Sequence, residues 1–287
     1  MMTINKIAII VHPQNHNASI FAEKVIQYLK EEGKDVVIGR VDEVDFQRKI
    51  QQQSHDVLIA MGGDGTMLRA GHISGPQNFP ILGINLGRFG FLTEISQDEW
   101  KGTFARLFDG DYWIENRMML DIAHWRDDTL LGEWDALNEG VVSRGDIVRP
   151  IQLKIHINER HLSTYIADGI IAATPTGSTA YAMAAGGPIL APELRNIVLV
   201  PVAPHLSIEQ PLVLDQSSTV SITTRTEHKA TLTIDGQDPV YLNDKDKVVV
   251  SVSKHTVDFI RFQDPGYFYR NLIPYMDQNP SIKDMDA

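Results

Sequence analysis

Cysteine is absent from the 287-residue chain. Disulfides, thiolate metal sites and cysteine nucleophiles are therefore excluded, and a reducing compartment, the cytoplasm, is the expected setting. Long apolar runs are missing as well. The first of the short ones, Ile7 to Val11, is too short for the apolar region of a signal peptide or for a membrane span, and predicts a buried strand instead. Positive charge is under-represented: 26 Lys and Arg face 37 Asp and Glu, a formal net charge of −11. A surface of that sign disfavours nucleic acid and anionic membranes as partners, while leaving room for a local cationic pocket. The ten histidines show no recognisable triad partner, and no internal repeat or long flexible linker interrupts the chain. What is present is the composition of a globular protein, 43% hydrophobic and 22% charged, in a length that suits one large domain or two ordinary ones.

The first third alternates short apolar runs with helical spacing. Lys6 to Val11, bounded by His12-Pro13, predicts the first strand. Ser19 is placed to cap a helix that carries Ala22, Val25, Ile26 and Leu29 on one face and stops at Gly33. Asp35 to Val41, Asp56 to Met61 and Pro80 to Asn85 predict further strands. Gln97 to Phe108 predicts a helix with Trp100, Phe104, Leu107 and Phe108 on its apolar side. Strands separated by helices predict an α/β N-terminal domain over residues 1–116, with a doubly wound, mostly parallel sheet. After Asn116 the period changes to two. Leu153, Ile155 and Ile157 alternate with polar residues, as do Val220 and Ile222, then Ala230, Leu232 and Ile234. Val248 to Val252 and Val257 to Phe262 add β-rich segments, and Asp235-Gly236 and Asn243-Asp244 mark turns. An all-β, sandwich-like antiparallel domain follows over residues 117–262. Its one helical interruption runs from Ser178 to Ala185, closed by Gly186-Gly187-Pro188. The polar end, Asp277 to Ala287, reads as frayed.

Three segments could carry chemistry. Gly62-Gly63-Asp64-Gly65-Thr66 follows a buried strand directly. Its glycines permit positive φ angles and close backbone approach, and a strand, Gly-rich turn and helix start together bind phosphate in α/β proteins. It is neither a Walker A loop nor a dinucleotide fingerprint. A carboxylate within a phosphate loop repels phosphate unless it serves the chemistry, by accepting a hydroxyl proton or by helping to hold Mg²⁺. The blander alternative is that Asp64 caps the next helix. Asn138-Glu139 offers an amide and a carboxylate to an adenine edge or to ribose hydroxyls, or is an ordinary surface turn. Ala167-Asp168-Gly169 leads through an apolar run into Thr174-Pro175-Thr176-Gly177-Ser178-Thr179-Ala180-Tyr181, crowded with hydroxyls that suit either a ligand or a well-capped helix. Small residues at 180 and 182 to 187 permit close approach of a planar base, a subunit or a strand. Asp235-Gly236-Gln237 reads as a hairpin turn, and Asp264-Pro265-Gly266-Tyr267-Phe268-Tyr269 as an aromatic packing turn.

Taken in order, these segments resemble the NAD kinase family, as does Asn85-Leu86-Gly87-Arg88-Phe89-Gly90-Phe91-Leu92, which is similar to that family's Asn-x-Gly-x-x-Gly-Phe-Leu segment. Gly-Gly-Asp-Gly-Thr occurs also in diacylglycerol and sphingosine kinases and in 6-phosphofructokinases; Thr174 to Tyr181 is the discriminating segment. The resemblance implies an α/β phosphate-donor domain to which the chain end, about 263–287, returns, and a β-rich NAD-binding domain. It implies transfer of a phosphoryl group from ATP or polyphosphate to the 2′-hydroxyl of the adenosine ribose of NAD, giving NADP. Asp64 would be the proton acceptor and Gly62, Gly63, Gly65 and Thr66 the phosphate loop. Asp64, Gly65, Asn138, Glu139, Arg149, Asp168, Thr179, Ala180, Tyr181, Ala182, Met183, Ala184 and Gln237 would line the dinucleotide site. Mg²⁺ or another divalent cation would arrive with the donor rather than occupy a fixed protein site. NAD would sit between the domains, completed by a neighbouring subunit of a homodimer or homotetramer. Ile166 stands where some relatives carry Arg, so the choice between oxidised and reduced dinucleotide stays open. Two rivals remain at this point: a lipid kinase of the diacylglycerol kinase type, and a non-catalytic NAD(P)(H)-binding sensor.

Overall fold

The computed structural model describes residues 4–12, 16–87, 90–205 and 209–277. The Pro13 boundary, the Arg88-Phe89 pair and the chain end from 278 lie outside the described residues. The chain divides into two compact units, Met1–Asn116 with Val257–Ala287, and Arg117–Thr256.

In the first unit the strands β1 (Lys6–Val11), β2 (Asp35–Arg40), β3 (Val57–Met61), β4 (Ile81–Asn85) and β5 (Ile95–Ser96) alternate with helices α1 (His16–Glu31), α2 (Val44–Gln52), α3 (Asp64–Ser74) and α4 (Trp100–Asp109). β1 pairs in parallel with β2 and β3, β3 with β4, and β4 with β5. β3 and β4 are buried at every residue, as continuous apolar strands covered on both faces must be. One face carries Ile7, Ile9, Ile59 and Ile84 against Phe21, Val25 and Leu29 of α1 and Trp100, Phe104 and Leu107 of α4. The alternate residues Ala8, Ile10, Leu58 and Ala60 are buried too. Three local expectations change. α1 begins at His16, so Ser19 lies inside the helix rather than capping it. α4 begins at Trp100, not Gln97. α2 was not anticipated, because its apolar face rests on only two buried residues, Phe46 and Ile50. Gly33 does end α1, with φ of +72°.

The second unit is antiparallel. Its strands are β6 (Trp113–Arg126, from Arg117 onward), β7 (Thr129–Ala136), β8 (Glu139–Arg144), β9 (Ile151–Ile157), β10 (Arg160–Ala167), β11 (Gly169–Ala173), β12 (Asn196–Val202), β13 (Leu212–Asp215), β14 (Val220–Arg225), β15 (Ala230–Ile234), β16 (Val240–Leu242) and the first part of β17 (Lys247–Arg261). One sheet runs β13-β12-β11-β8-β15-β16, and β10, β9, β14 and β17 pair in a second. The alternating residues face a single core: Leu153 and Ile155 of β9, Ile170 and Ala172 of β11, Val220 and Ile222 of β14, Leu232 of β15 and Val248 of β17 share it. The two segments expected at 248–252 and 257–262 are one continuous strand, β17, whose residues beyond Thr256 belong to the first unit, where Phe259 aligns with Ile81 of β4. The expected helix from 178 to 185 is also broken. A 3₁₀ turn, Gly177–Thr179, and a single α-turn, α5 (Tyr181–Ala184), flank Ala180, whose φ of −101° and ψ of −130° are not helical. The chain then returns to the first unit as α6 (Tyr267–Asp277).

Candidate active site

In the first unit β3 delivers the glycine loop to the start of α3. Gly62 N–H donates to the Ile84 carbonyl (3.0 Å), and the Gly63 carbonyl accepts from Thr66 (2.9 Å) and Met67 (3.2 Å) as the first helical turn. None of the loop glycines has a positive φ, so the anticipated reason for them is corrected. Gly62 is small because a Cβ would run into the Thr66 side chain, whereas around Gly63 and Gly65 no heavy atom lies within 4 Å of the Cβ position. The loop is thus close-packed behind and open in front, where a ligand can meet backbone. Thr66 Oγ1 is buried without a hydrogen-bond partner.

Asp64 does not cap α3, whose N-cap is Gly63 without a side-chain bond. Its carboxylate reaches instead to the segment after β4, accepting from Phe91 N–H (2.9 Å) and Leu92 N–H (3.0 Å). Gly90 permits this approach, since a Cβ there would collide with the Asp64 carboxylate. Two bonds leave roughly half of the carboxylate's acceptor capacity free. The same segment is held from behind. Arg261, at the end of β17, is wholly buried and donates to the carbonyls of Leu92 (3.2 Å) and Thr93 (3.4 Å), to Glu94 (3.0 Å) and, through Nε, to Glu115 (2.9 Å). Glu94 also accepts from Phe262 N–H (2.6 Å), and Tyr267 of α6 donates to Glu115 (2.9 Å). Burial alone would lower the Arg261 pKa; Tyr267, Glu115 and Glu94 push it up, so the guanidinium stays charged.

In the second unit the segment 137–139 is clamped. Asp235 stands in the β15–β16 turn with φ of +47°, followed by Gly236 at +68°, the geometry of a tight hairpin turn. Its carboxylate accepts from the N–H groups of Leu137 (2.7 Å), Asn138 (2.8 Å) and Glu139 (2.9 Å). The hydroxyl-rich segment packs on the same residues: Thr174 Oγ1 donates to the Leu137 carbonyl (2.5 Å), and Thr174 N–H to that of Asn138 (2.8 Å). A Cβ on Gly177 would strike the Asn138 backbone. Ser178 donates to the Pro175 carbonyl (2.6 Å) and Thr179 to that of Thr176 (3.2 Å), so these hydroxyls fold the turn. Asn138 and Glu139 are both buried, which removes the surface-turn alternative. Glu139 Oε2 has no hydrogen-bond partner. Burial, reinforced by the charge of Asp235, pushes the Glu139 pKa up to about 8.

Not every expected site residue joins this cluster. Ala180 and Met183 are half-buried beside it, Ala182 is buried, and Tyr181, Ala184 and Gln237 are exposed. Asp168 lies at the other end of β11, paired with Arg144 (3.0 Å); Gly169 aligns with Ser143 while Ala173 aligns with Glu139. Arg149 is exposed, and lines an open cavity of about 700 Å³ with Lys154, Arg225 and His228. Asp235 and Arg261 went unforeseen as site-forming residues: the first reads in sequence as a hairpin turn, and nothing local distinguishes the second. Asp235→Asn, which keeps the left-handed turn but removes one acceptor oxygen, is expected to lower stability by about 1.5–3 kcal/mol, read by thermal melting near pH 7. Unchanged melting would mean that the clamp contributes nothing.

Comparison with known proteins places this geometry among relatives. A family profile described as the ATP-NAD kinase N-terminal domain matches residues 34–112, and one for the ATP-NAD kinase C-terminal domain matches residues 137–262. The NAD kinase of Chloroflexus aurantiacus is 36% identical over 270 residues, 94% of this chain and 98% of that protein. That of Treponema denticola is 34% identical over 271 residues, 94% and 95% of the two chains. Among solved structures, yeast NADH kinase complexed with NADH superimposes with a TM-score of 0.84 at 25% identity, covering 97% of this chain and 89% of that one. An NAD kinase from Archaeoglobus fulgidus in complex with ATP gives 0.75 at 25% identity, covering 94% and 98%.

Proposed function

The chain belongs to the NAD kinase family, and from that premise we propose that it transfers the γ-phosphoryl group of ATP to the adenosine-ribose 2′-hydroxyl of NAD, with Asp64 as the proton acceptor. The observation that carries the assignment of Asp64 is a carboxylate within an open glycine loop, fixed by two backbone amides and left with acceptor capacity to spare. The 2′-oxygen attacks the γ-phosphorus, the bond to the β-bridging oxygen breaks, ADP leaves, and the hydroxyl proton passes to a free lone pair on Asp64. Phosphoryl transfer has a loose transition state, so the nucleophile keeps its proton late and an ordinary carboxylate suffices as base. The divalent cation comes with ATP as part of that substrate, and the backbone around Gly63 and Gly65 receives the phosphates. Asn138 and Glu139, fixed by Asp235, are the proposed contacts to the adenosine half of the dinucleotide, a buried amide and carboxyl suited to ribose hydroxyls. The cytoplasm is the proposed compartment, on the absence of cysteine; among the described residues no helix is long and apolar enough to cross a membrane.

Turnover with Mg-ATP and, in parallel, NAD, diacylglycerol or buffer alone tests the reading. NADP formation with NAD only is the expected result. Phosphatidate formation would favour a lipid kinase, and no turnover a sensor.

The active form is proposed to be a homodimer or homotetramer. Arg149 and Asp168 lie apart from Asn138 and Glu139 in one copy, and exposed apolar residues gather near them: Ile147 is 48% exposed, Val148 78% and Ile166 43%. On this reading a second copy covers these side chains and brings Arg149 and Asp168 to its neighbour's dinucleotide. Specific activity is expected to fall on dilution together with the sedimentation coefficient. A fully active monomer would rule the arrangement out.

A further inference from the structure

The Asp64 carboxylate is aimed by a segment that has no regular secondary structure of its own. Between β4 and β5 the chain runs through Gly90, Phe91, Leu92, Thr93 and Glu94 without a ladder, apart from the Glu94 N–H bond to the Gly83 carbonyl (3.0 Å). On its front, Phe91 and Leu92 donate to Asp64. On its back, Leu92 and Thr93 accept from Arg261 Nη1, which also reaches Glu94, while Nε reaches Glu115 and Nη2 is buried without a hydrogen-bond partner. One wholly buried guanidinium thus binds the carbonyls of residues at or beside those whose amides bind the carboxylate. A buried ion cluster of this kind is weak evidence for stability, because removing the charges from water costs about as much as their attraction returns. Its effect is on geometry: Nε and Nη1 of one rigid, planar guanidinium are shared among two carbonyls and two carboxylates, so the positions of those groups are set together.

We infer that Arg261 is a positioning residue for phosphoryl transfer, acting through the 90–94 segment to hold the Asp64 carboxylate where the acceptor hydroxyl meets it. The inference rests on Asp64 being the proton acceptor. Arg261 itself is sealed from substrate. Glu94 and Glu115 hold the fork, and Tyr267 of α6 steadies Glu115.

Arg261→Lys keeps the charge and loses the fork. In the full chain it is expected to lower kcat by about 10–100-fold, the effect of misplacing a catalytic group by about an ångström, with KM for NAD and for Mg-ATP within about twofold of wild type. Amide hydrogen exchange at Phe91 and Leu92 should quicken by more than about tenfold, while amides of β9 and β14 keep their rates. Ile50→Ala, which opens a cavity beneath α2 and removes none of these hydrogen bonds, serves as the control for general destabilisation: it should lower the melting temperature and leave kcat unchanged. Should Arg261→Lys not fold, Glu115→Gln, which is isosteric and loosens one side of the fork, is measured in its place with the same expected pattern. A folded variant with kcat within about twofold of wild type overturns the inference, as does a kcat loss that Ile50→Ala reproduces at equal melting temperature. Asp64→Asn is assayed alongside. If it is inactive while Arg261→Lys is unimpaired, only the role of Arg261 falls; if Asp64→Asn turns over normally, the assignment of Asp64 falls and the role of Arg261 with it.

Discussion

Asp64→Asn is expected to lower kcat for NADP formation by about 10²–10⁴-fold, the usual worth of a positioned general base, while NAD still binds. The substitution preserves size and one acceptor oxygen. It removes the proposed proton acceptor, and it turns an NH₂ toward either Phe91 N–H or Leu92 N–H, which now donate to the two carboxylate oxygens. The second effect is local: one hydrogen bond is lost and two donors face each other, a cost of about 1–3 kcal/mol to the segment. Initial rates with NAD and Mg-ATP saturating, together with calorimetric NAD affinity, separate the two. A large fall in kcat with affinity within about threefold identifies a group needed in the transition state rather than for binding. Near-wild-type turnover would remove Asp64 from the chemistry and leave it a strut between α3 and the 90–92 segment.

The wild type is expected to vary with pH in both stability and ligand affinity, and Glu139→Gln to abolish that dependence. The Glu139 carboxyl is buried with one oxygen unpartnered, and burial with the nearby Asp235 charge raises its pKa from the ordinary 4.5 to about 8. An acid whose folded pKa exceeds its unfolded value binds more protons when folded across the interval between them. Its contribution is therefore full below pH 4.5, declines as pH rises through the window, and is gone above about 8. Over that window the loss is at most about 5 kcal/mol, and less where the site relaxes or admits water. Chemical denaturation at about pH 6 and about pH 9 should show the wild type weakening and Glu139→Gln holding level. For NAD the sign reverses. In the role proposed for Glu139, ribose hydroxyls would donate to the ionised form, so binding should release a proton and tighten with rising pH by up to about tenfold per pH unit below about 8. Calorimetry in buffers of different ionisation enthalpy measures that proton directly. Affinity independent of pH, with no proton released, would mean that Glu139 does not meet a hydroxyl of the dinucleotide.

Much of the fold was legible because its signals are local. β1, β3 and β4 are short apolar runs bounded by polar or turn residues, and the alternation of Leu153 with Ile155 and of Leu232 with Ile234 follows from one face of each strand meeting the core. Where a local signal was ambiguous, the expectation slipped. Ser19 has the chemistry of a cap, but α1 extends three residues beyond it toward the N-terminus. Val248 to Val252 and Val257 to Phe262 look like two segments because Ser253, Lys254 and His255 are polar, yet Ser253 and His255 bond to Asp135 and the strand continues through them.

The sequence by itself determined the chemistry on offer: no thiol, an acidic surface, and a carboxylate within a glycine loop after a buried strand. It also determined the order of motifs that marks the family, since a motif is a run of neighbours and needs no folding to be read. Only the tertiary structure decided what holds those motifs in place. Leu92 and Arg261 are 169 residues apart, and Asn138 and Asp235 are 97. No periodicity spans such separations, and an arginine at the end of a strand or an aspartate in a hairpin turn looks the same whether it faces water or a buried backbone. The state of Glu139 was hidden for the same reason: a pKa is set by the solvent that packing takes away, and that becomes visible only when Thr174, Gly177 and Asp235 close around the strand.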